Sequence, residues 1–253
     1  MRDKIVIGLP AYNEEKSIYP LLYKFSIVAD KLDEFEMLFL LADDASTDET
    51  INEFIRSCQL LSLPYKVLPS ANNSGLGMGL RKIFSEFCSL CNNEPLIKYL
   101  LIMDADNTHQ PEQLIQMVSS VDGMNNIVVA SRYTSGSIMS GLTTLRRGLS
   151  KVAGWYLHLW YRNANTFDFT CSYRLYGKSL VQELQVQTDG KFVSSFGFDC
   201  MPEILIRSLR LGASIVEIPL ILKYDEKMSA SKMRFISNSL KILLLPQRLR
   251  SRS

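Results

Sequence analysis

Short apolar runs alternate with helical patterns through the first half of the chain, and this alternation constrains the fold more than any other feature. Each run is too short for a buried helix and too apolar for a loop, so we predict strands there. The predicted strands cover residues 4–9, 36–42, 65–68, 98–103 and 127–130, and the predicted helices cover residues 17–32, 47–61, 75–90 and 111–121. A strand–helix–strand repeat places crossover helices over a parallel sheet. We therefore predict an α/β fold, a Rossmann-like and mainly parallel sheet flanked by helices, with the alternation ending at Tyr133.

Two carboxylates directly follow the fourth predicted strand. Asp104-Ala105-Asp106 comes after the apolar run 99–103, at the position where open α/β sheets place their ligands. Carboxylates one residue apart can hold a hard divalent cation while a diphosphate supplies the other oxygens. The alternative is a solvated turn or a helix cap, since Pro111 begins a helical pattern shortly afterwards.

Polar clusters also follow the first, second and fifth predicted strands, at what should be the same edge of the sheet. They are Pro10-Ala11-Tyr12-Asn13-Glu14-Glu15, Asp43-Asp44-Ala45-Ser46-Thr47-Asp48-Glu49-Thr50 and Ser131-Arg132-Tyr133. An aromatic ring, carboxylates that can accept from base N–H groups and a metal pair together indicate a pocket for a nucleotide diphosphate. The glycine-rich segment 73–79 could add backbone N–H groups for phosphate, although close packing of a helix on the sheet is the favoured interpretation.

The composition argues against several other classes of protein. A formal net charge of +2 is not that of a dedicated nucleic-acid binder. The five cysteines lack the spacing of a disulfide framework, so we expect a reducing compartment. We expect no signal peptide, because residues 1–4 lead straight into a strand. We also expect no membrane-spanning segment, because each apolar stretch is too short or too charged.

In this order and spacing the motifs resemble those of the family 2 glycosyltransferases with a GT-A fold, in particular the dolichol- and polyprenyl-phosphate sugar synthases. The resemblance continues through Asp168-Phe169-Thr170-Cys171-Ser172-Tyr173-Arg174, Glu203, Glu217-Ile218-Pro219 and Ser231-Lys232. We therefore expect a GT-A domain over residues 1–232, including an amphipathic membrane-interface and acceptor helix at 142–161. A basic amphipathic tail would follow over residues 233–253.

The resemblance also implies a role for each matched residue. The nucleotide-sugar site would comprise Pro10, Tyr12, Glu14, Asp43, Asp44, Asp104, Ala105, Asp106, Arg132 and Lys232, with either Asp43 or Asp44 accepting from the base. The catalytic residues would be Asp106, Arg132 and Lys232, and the ligands of Mg²⁺ or Mn²⁺ would be Asp104 and Asp106. Thr108 stands where the dolichol enzymes carry Gln, so water would complete the metal shell.

The acceptor phosphate would contact Arg132, Arg146 and Ser150. Arg146 and Ser150 are spaced i, i+4 and so share one face of the predicted helix. The relatives place an Arg and a Ser at this spacing for a lipid phosphate. A solvated basic helix face is the alternative interpretation.

Two segments indicate contact with a membrane surface. In residues 142–161, Trp155 and Trp160 stand among other aromatic residues, and basic residues precede them. Aromatic residues beside cations suit a helix lying in the membrane interface, and an ordinary core helix with a basic end is the alternative. In the tail, residues 233–245 alternate apolar with polar side chains, we expect Pro246 to end that helix, and arginines follow. Such a tail could touch anionic lipid.

The resemblance implies a metal-dependent transfer of a sugar, mannose or glucose, from GDP-mannose or UDP-glucose to a dolichyl or polyprenyl phosphate. The enzyme would be cytoplasmic and peripheral on the cytoplasmic face of a membrane. Its partners would include that membrane surface and no nucleic acid, and the resemblance allows a small membrane-anchoring subunit. One alternative is transfer to a saccharide hydroxyl in surface-polysaccharide assembly, with Asp168 or Glu203 as the general base. Another is a catalytically idle protein that binds nucleotide sugars or serves as a membrane scaffold.

Overall fold

The computed structural model describes residues 2–124, 126–141, 144–162, 164–228 and 235–250, with the side chains of 144–147, 149 and 235–240 outside that description. The strands in these ranges are β1 (Asp3–Ala11), β2 (Phe35–Asp43), β3 (Tyr65–Pro69), β4 (Ile97–Ile102), β5 (Asn126–Ser131), β6 (Ile138–Ser140), β7 (Arg174–Gly177), β8 (Ser214–Pro219) and β9 (Ile221–Lys223). The helices are α1 (Glu15–Lys31), α2 (Thr50–Leu60), α3 (Leu76–Asn93), α4 (Gln113–Ser119), α5 (Thr144–Trp160), α6 (Lys178–Gln187), α7 (Cys200–Arg210) and α8 (Phe235–Arg250), with a 3-10 turn at Tyr224–Glu226.

In the described part of the chain, seven strands form one sheet in the order β3-β2-β1-β4-β7-β5-β8. Neighbouring strands run parallel, except that β7 runs antiparallel between β4 and β5. A second, small sheet pairs β6 with β9 in parallel. The predicted α/β fold, a mainly parallel sheet flanked by helices, is therefore confirmed.

The central strands are buried on both faces, which explains their near-continuous apolar sequences. All six residues of β5 are buried, and β1 buries an unbroken run from Ile5 to Leu9. The crossover helices cover the sheet with one apolar face each, as α1 does with Leu21, Phe25 and Val28. The core thus lies on the two faces of the sheet, and the strand ends remain as the place for polar groups.

The antiparallel strand β7 brings a further loop to the functional edge. Its first residue, Arg174, is paired with Ile102 near the end of β4 and with Val129 near the end of β5. Since β7 runs the opposite way, residues 168–173 reach the edge at which β1, β2, β4 and β5 end. The polar motif at 168–174 therefore joins the clusters that follow the parallel strands.

The glycine-rich segment packs closely against another loop. A Cβ at Gly77 would lie 1.9 Å from the carbonyl oxygen of Ser195, and a Cβ at Gly75, whose φ is 82°, would lie 2.3 Å from the carbonyl oxygen of Phe196. The carboxylate of Asp44 accepts from the backbone N–H groups of Ser74 at 2.7 Å and Gly75 at 2.8 Å. These contacts give the glycines a packing role, in agreement with the favoured interpretation of this segment.

Helix α8 continues to Arg250, so the prediction that Pro246 ends it is wrong. Leu245 and Leu249 are buried on either side of the proline, and the packing of these side chains offsets the hydrogen bond that proline removes from a helix. The tail thus contacts the rest of the chain, where Tyr156 donates to the carbonyl oxygen of Leu243 at 2.8 Å. Among the described residues, no helix is long and apolar enough to cross a membrane.

Candidate active site

The carboxylates of Asp104 and Asp106 lie just beyond the end of β4. Oδ1 of Asp106 accepts from the backbone N–H of Thr108 at 3.1 Å and from its hydroxyl at 2.7 Å. Oδ2 of Asp106 forms an ion pair with Lys227. Asp104 lies beside Ser172, which precedes β7 and whose hydroxyl acts to lower the pKa of Asp104. The pair is therefore held between the ends of β4 and β7, and Thr108 serves as a donor to Asp106.

The two carboxylates have different electrostatic environments. Burial raises the pKa of Asp104, and the negative charge of Asp106 adds to this effect. Burial would also raise the pKa of Asp106, but the Lys227 ammonium outweighs it and holds that pKa below its ordinary value. Asp106 can therefore keep its negative charge next to Asp104, because the Lys227 ammonium lies beside it.

Lys227 is a site residue that the sequence analysis missed. It follows the 3-10 turn in a loop, and neither a periodic pattern nor a motif distinguishes it from other loop lysines. Burial opposes its charge, yet the pKa of Lys227 is raised because Asp106, Glu14 and Asp104 surround it. Only its proximity to Asp106 in the fold identifies it.

Two further polar groups beside the carboxylates support a ligand site. Nδ1 of His109 and Oδ1 of Asn107 are buried and have no hydrogen-bond partner among the described residues. Buried polar atoms in folded proteins normally have a hydrogen-bond partner, so these two atoms are available to a ligand.

No group of three or more His, Cys, Asp or Glu side chains that could hold a metal occurs in the described ranges. A divalent cation held by Asp104 and Asp106 would therefore need further ligands, such as oxygens of a bound molecule or of water.

Arg132 and Asp168 form a buried ion pair next to this site. The backbone N–H of Arg132 donates to Oδ2 of Asp168 at 2.9 Å. The guanidinium of Arg132 makes a bidentate contact with the same carboxylate, in which Nε donates to Oδ2 at 2.8 Å and Nη2 donates to Oδ1. Asp168 is fully buried, and the Arg132 guanidinium holds its pKa below the ordinary value against the effect of burial. Nη2 of Arg132 also donates to Thr170 at 2.5 Å. The predicted catalytic arginine is thus fixed in direction by the segment that precedes β7.

Of the predicted acceptor residues, Ser150 can be located fully. The hydroxyl of Tyr133 donates to Oγ of Ser150 at 3.1 Å, and the Arg132 guanidinium lies 5.6 Å from the Tyr133 ring centroid. The structure therefore brings Ser150 of α5 close to Arg132. The side chain of Arg146 and the whole of Lys232 lie outside the described residues.

The predicted nucleotide-binding residues lie at the ends of β1 and β2, which are paired along their whole length. Pro10 belongs to β1, and Tyr12 and Glu14 follow it. Asp43 at the end of β2 accepts from the backbone N–H of Ser46 at 2.9 Å and from its hydroxyl at 2.5 Å. The negative charge of Glu14 acts on Lys227, so the β1 end and the carboxylate pair face one site.

A family model described as Glycosyl transferase family 2 matches residues 6–185, which is more than half of the chain. The chain belongs to glycosyl transferase family 2. The matched range includes the ends of β1, β2, β4 and β5 and the segment that precedes β7. The chain is thus a family 2 glycosyltransferase, and the family predicted from its motifs is confirmed.

Two curated relatives align with this glycosyltransferase over most of both chains. A polyprenol monophosphomannose synthase of Mycolicibacterium smegmatis is 25% identical over 246 residues, which cover 92% of this chain and 83% of the relative. An undecaprenyl-phosphate mannosyltransferase of Micrococcus luteus is 27% identical over 230 residues, which cover 91% of this chain and 87% of the relative. Both names agree with the predicted resemblance to polyprenyl-phosphate sugar synthases.

A solved structure shares the fold of this glycosyltransferase. It is a mannosyltransferase from Pyrobaculum calidifontis in complex with GDP-Man and Mn²⁺, with a TM-score of 0.62 and 15% sequence identity. The alignment covers all of this chain and 65% of that chain. At this identity the likeness concerns the fold alone, and it confirms the predicted GT-A architecture.

Proposed function

We propose that this family 2 glycosyltransferase transfers mannose from GDP-mannose to a polyprenyl or dolichyl phosphate. The observation that carries the proposal is the shared edge of the sheet. There the carboxylate pair follows β4 and Arg132 follows β5, and Tyr133, the neighbour of Arg132, donates to Ser150 of α5. The names of the two curated relatives support mannose over glucose and a lipid phosphate over other acceptors.

The proposed reaction depends on holding two anionic substrates in place and does not require a strong general base. A phosphate monoester is already an anionic nucleophile near neutral pH, so the protein has to hold two anionic substrates together and stabilise the departing diphosphate. A divalent cation held by Asp104 and Asp106 would supply part of that stabilisation. Arg132 and Lys232, and Lys227 beside the carboxylates, are the side chains that would offset the remaining negative charge.

The alternative reaction at a saccharide hydroxyl requires a general base, and both candidate bases are otherwise engaged. Asp168 accepts from Arg132, and its pKa lies below the ordinary value. Glu203 is fully buried and accepts from Ser194, Arg207 and Arg248. A carboxylate held by several donors is a poor proton acceptor. This pattern favours a lipid phosphate as the acceptor.

An exposed apolar surface on α5 and α8 supports the proposed position at a membrane. On α5, Val152, Trp155 and Leu159 share one face and are 61%, 59% and 44% exposed. On α8, Leu243 and Leu244 are also exposed, and α8 contacts α5 through the Tyr156–Leu243 hydrogen bond. Exposed apolar groups of this kind suit the headgroup region of a bilayer. We place the enzyme peripherally, on the cytoplasmic face.

A nucleoside diphosphate should stabilise the protein through the proposed donor pocket. At a concentration of about 100 times Kd, GDP with Mn²⁺ should add about 2.7 kcal/mol and raise Tm by roughly 5–10 °C. Tyr12→Ala should remove most of this shift, because it deletes the ring assigned to the base. Tyr23→Ala is the control, since Tyr23 is 50% exposed on α1 and should leave the shift intact. Equal shifts in the two variants, measured by scanning fluorimetry, would argue against this pocket.

The acceptor assignment is tested by steady-state kinetics with a short polyprenyl phosphate. Arg146→Ala should raise KM for the lipid about tenfold, because a doubly charged phosphate needs several cationic donors once it leaves water. The GDP-induced rise in Tm should not change. Lys151→Ala is the matched control, since Lys151 is an exposed cation of the same helix. An unchanged lipid KM in Arg146→Ala would remove the role given to this residue.

A further inference from the structure

Lys227 occupies the position that the proposed metal ion would need. Its Nζ forms an ion pair with Oδ2 of Asp106, and the two side chains are only 14% and 12% exposed. The other oxygen of Asp106 is taken by Thr108. Thr108 donates twice to Oδ1 and the lysine ammonium pairs with Oδ2, so most of the acceptor positions of Asp106 are already in use and Lys227 supplies the positive charge.

The contact is built into the fold. The backbone N–H of Lys223 donates to the carbonyl oxygen of Thr108 at 2.9 Å, and Leu222 forms a β-bridge with His109. The segment that leads to Lys227 is thus attached to the loop that carries both carboxylates.

Ion pairs also hold Glu226, the residue before Lys227. Glu226 forms ion pairs with Lys24 of α1 at 2.5 Å and with Lys223 at 2.9 Å. The turn is consequently held on two sides, and the Lys227 side chain can reach Asp106 without ordering a long loop.

We propose that Lys227 is a built-in counter-ion of the carboxylate pair and has to leave Asp106 when a divalent cation binds. The inference rests on the metal site of the proposed function. An ammonium and a divalent cation at contact distance from one carboxylate oxygen repel each other strongly in a poorly solvated site, so metal binding works against the contact between Lys227 and Asp106. Without metal, Lys227 offsets the repulsion between Asp104 and Asp106. With metal, its ammonium is released next to the place assigned to the diphosphate.

Metal titration of two variants tests the proposal without an activity assay. Lys227→Met removes the competing charge and should bind Mn²⁺ roughly tenfold more tightly than the wild type in the absence of nucleotide, as measured by electron paramagnetic resonance. Lys66→Met is the control, because Lys66 is an exposed lysine of β3 that pairs with Glu86 and not with Asp106. Its Mn²⁺ affinity should stay within about twofold of the wild type. Equal Mn²⁺ affinities of Lys227→Met and the wild type would overturn the proposal.

Chemical labelling of the unaltered protein provides a second measurement that does not depend on how the variant folds. Acetylation of Lys227, followed by mass spectrometry, should be slow without metal and several-fold faster with saturating Mn²⁺, whereas the rate at exposed Lys66 should not change. Equal rates at Lys227 with and without metal would contradict its displacement. If neither the wild type nor Lys227→Met binds Mn²⁺, with or without GDP, the metal site of the proposed function is itself wrong.

Discussion

Asp106→Asn is expected to lower kcat for sugar transfer by about 10²–10³-fold or more, while the protein stays folded. Asparagine keeps the volume of the side chain and can still accept from Thr108, so the loop that follows β4 should keep its shape. It loses the negative charge that would bind a divalent cation and that pairs with Lys227. Removing a group that stabilises developing charge in a transition state has effects of this size.

The measurement is transfer at saturating substrates over a range of Mg²⁺ and Mn²⁺ concentrations. Asp33→Asn is the control, since Asp33 is an exposed carboxylate between α1 and β2, and its kcat should equal that of the wild type. Near-normal transfer by Asp106→Asn in either metal would show that the carboxylate pair was assigned the wrong role.

Asp168→Asn is expected to cost about 3–5 kcal/mol of unfolding free energy. The change leaves the Arg132 guanidinium partly buried without its charged partner, and breaking a buried ion pair from one side has a cost of this size. Denaturant unfolding of the two proteins measures the difference. Asp189→Asn is the control, because Asp189 pairs with Lys191 while 94% exposed, and it should change stability by less than about 0.5 kcal/mol. A similar loss of unfolding free energy in both variants would contradict the stabilising role of the Arg132–Asp168 ion pair.

The pH dependence of stability gives the same ion pair a second test. The pKa of Asp168 is lowered in the folded state, so its contribution is fully present above the unfolded carboxyl pKa of about 3.9. That contribution is lost as the pH falls through the lower, folded value. The stability difference between the wild type and Asp168→Asn should therefore shrink below about pH 4. Parallel stability curves down to the acid limit would mean that Arg132 does not hold Asp168 in its charged form.

The parallel part of the fold could be predicted because its strands carry their own signal. A strand buried on both faces must be apolar along its whole length, as β5 is, and the chain must turn polar where such a strand ends. The apolar runs before Asp104 and before Ser131 could therefore be recognised as strands. The polar residues that follow these strands could be recognised as one candidate site. The crossover helices followed from their amphipathic spacing and the acidic start of α2.

The remaining features depend on tertiary contacts that have no local signature. The antiparallel insertion of β7 between β4 and β5 joins residues far apart in the chain, and four residues of strand give no pattern that reveals their partner. The Arg132–Asp168 pair spans 36 positions and the Lys227–Asp106 pair spans 121. Pro246 indicated a helix end by local rules, but packing of its buried neighbours overrides them.

The most direct test of the proposed function follows the label from a radioactive donor into lipid. The protein is incubated with Mn²⁺ and labelled GDP-mannose, with UDP-glucose as a second donor, and with a short polyprenyl phosphate, the corresponding free prenol or an oligosaccharide as acceptor. We predict that mannose from GDP-mannose appears on the polyprenyl phosphate alone, and that a chelator abolishes the transfer. Label in the oligosaccharide with the polyprenyl phosphate unlabelled, or no consumption of either donor, would contradict the account.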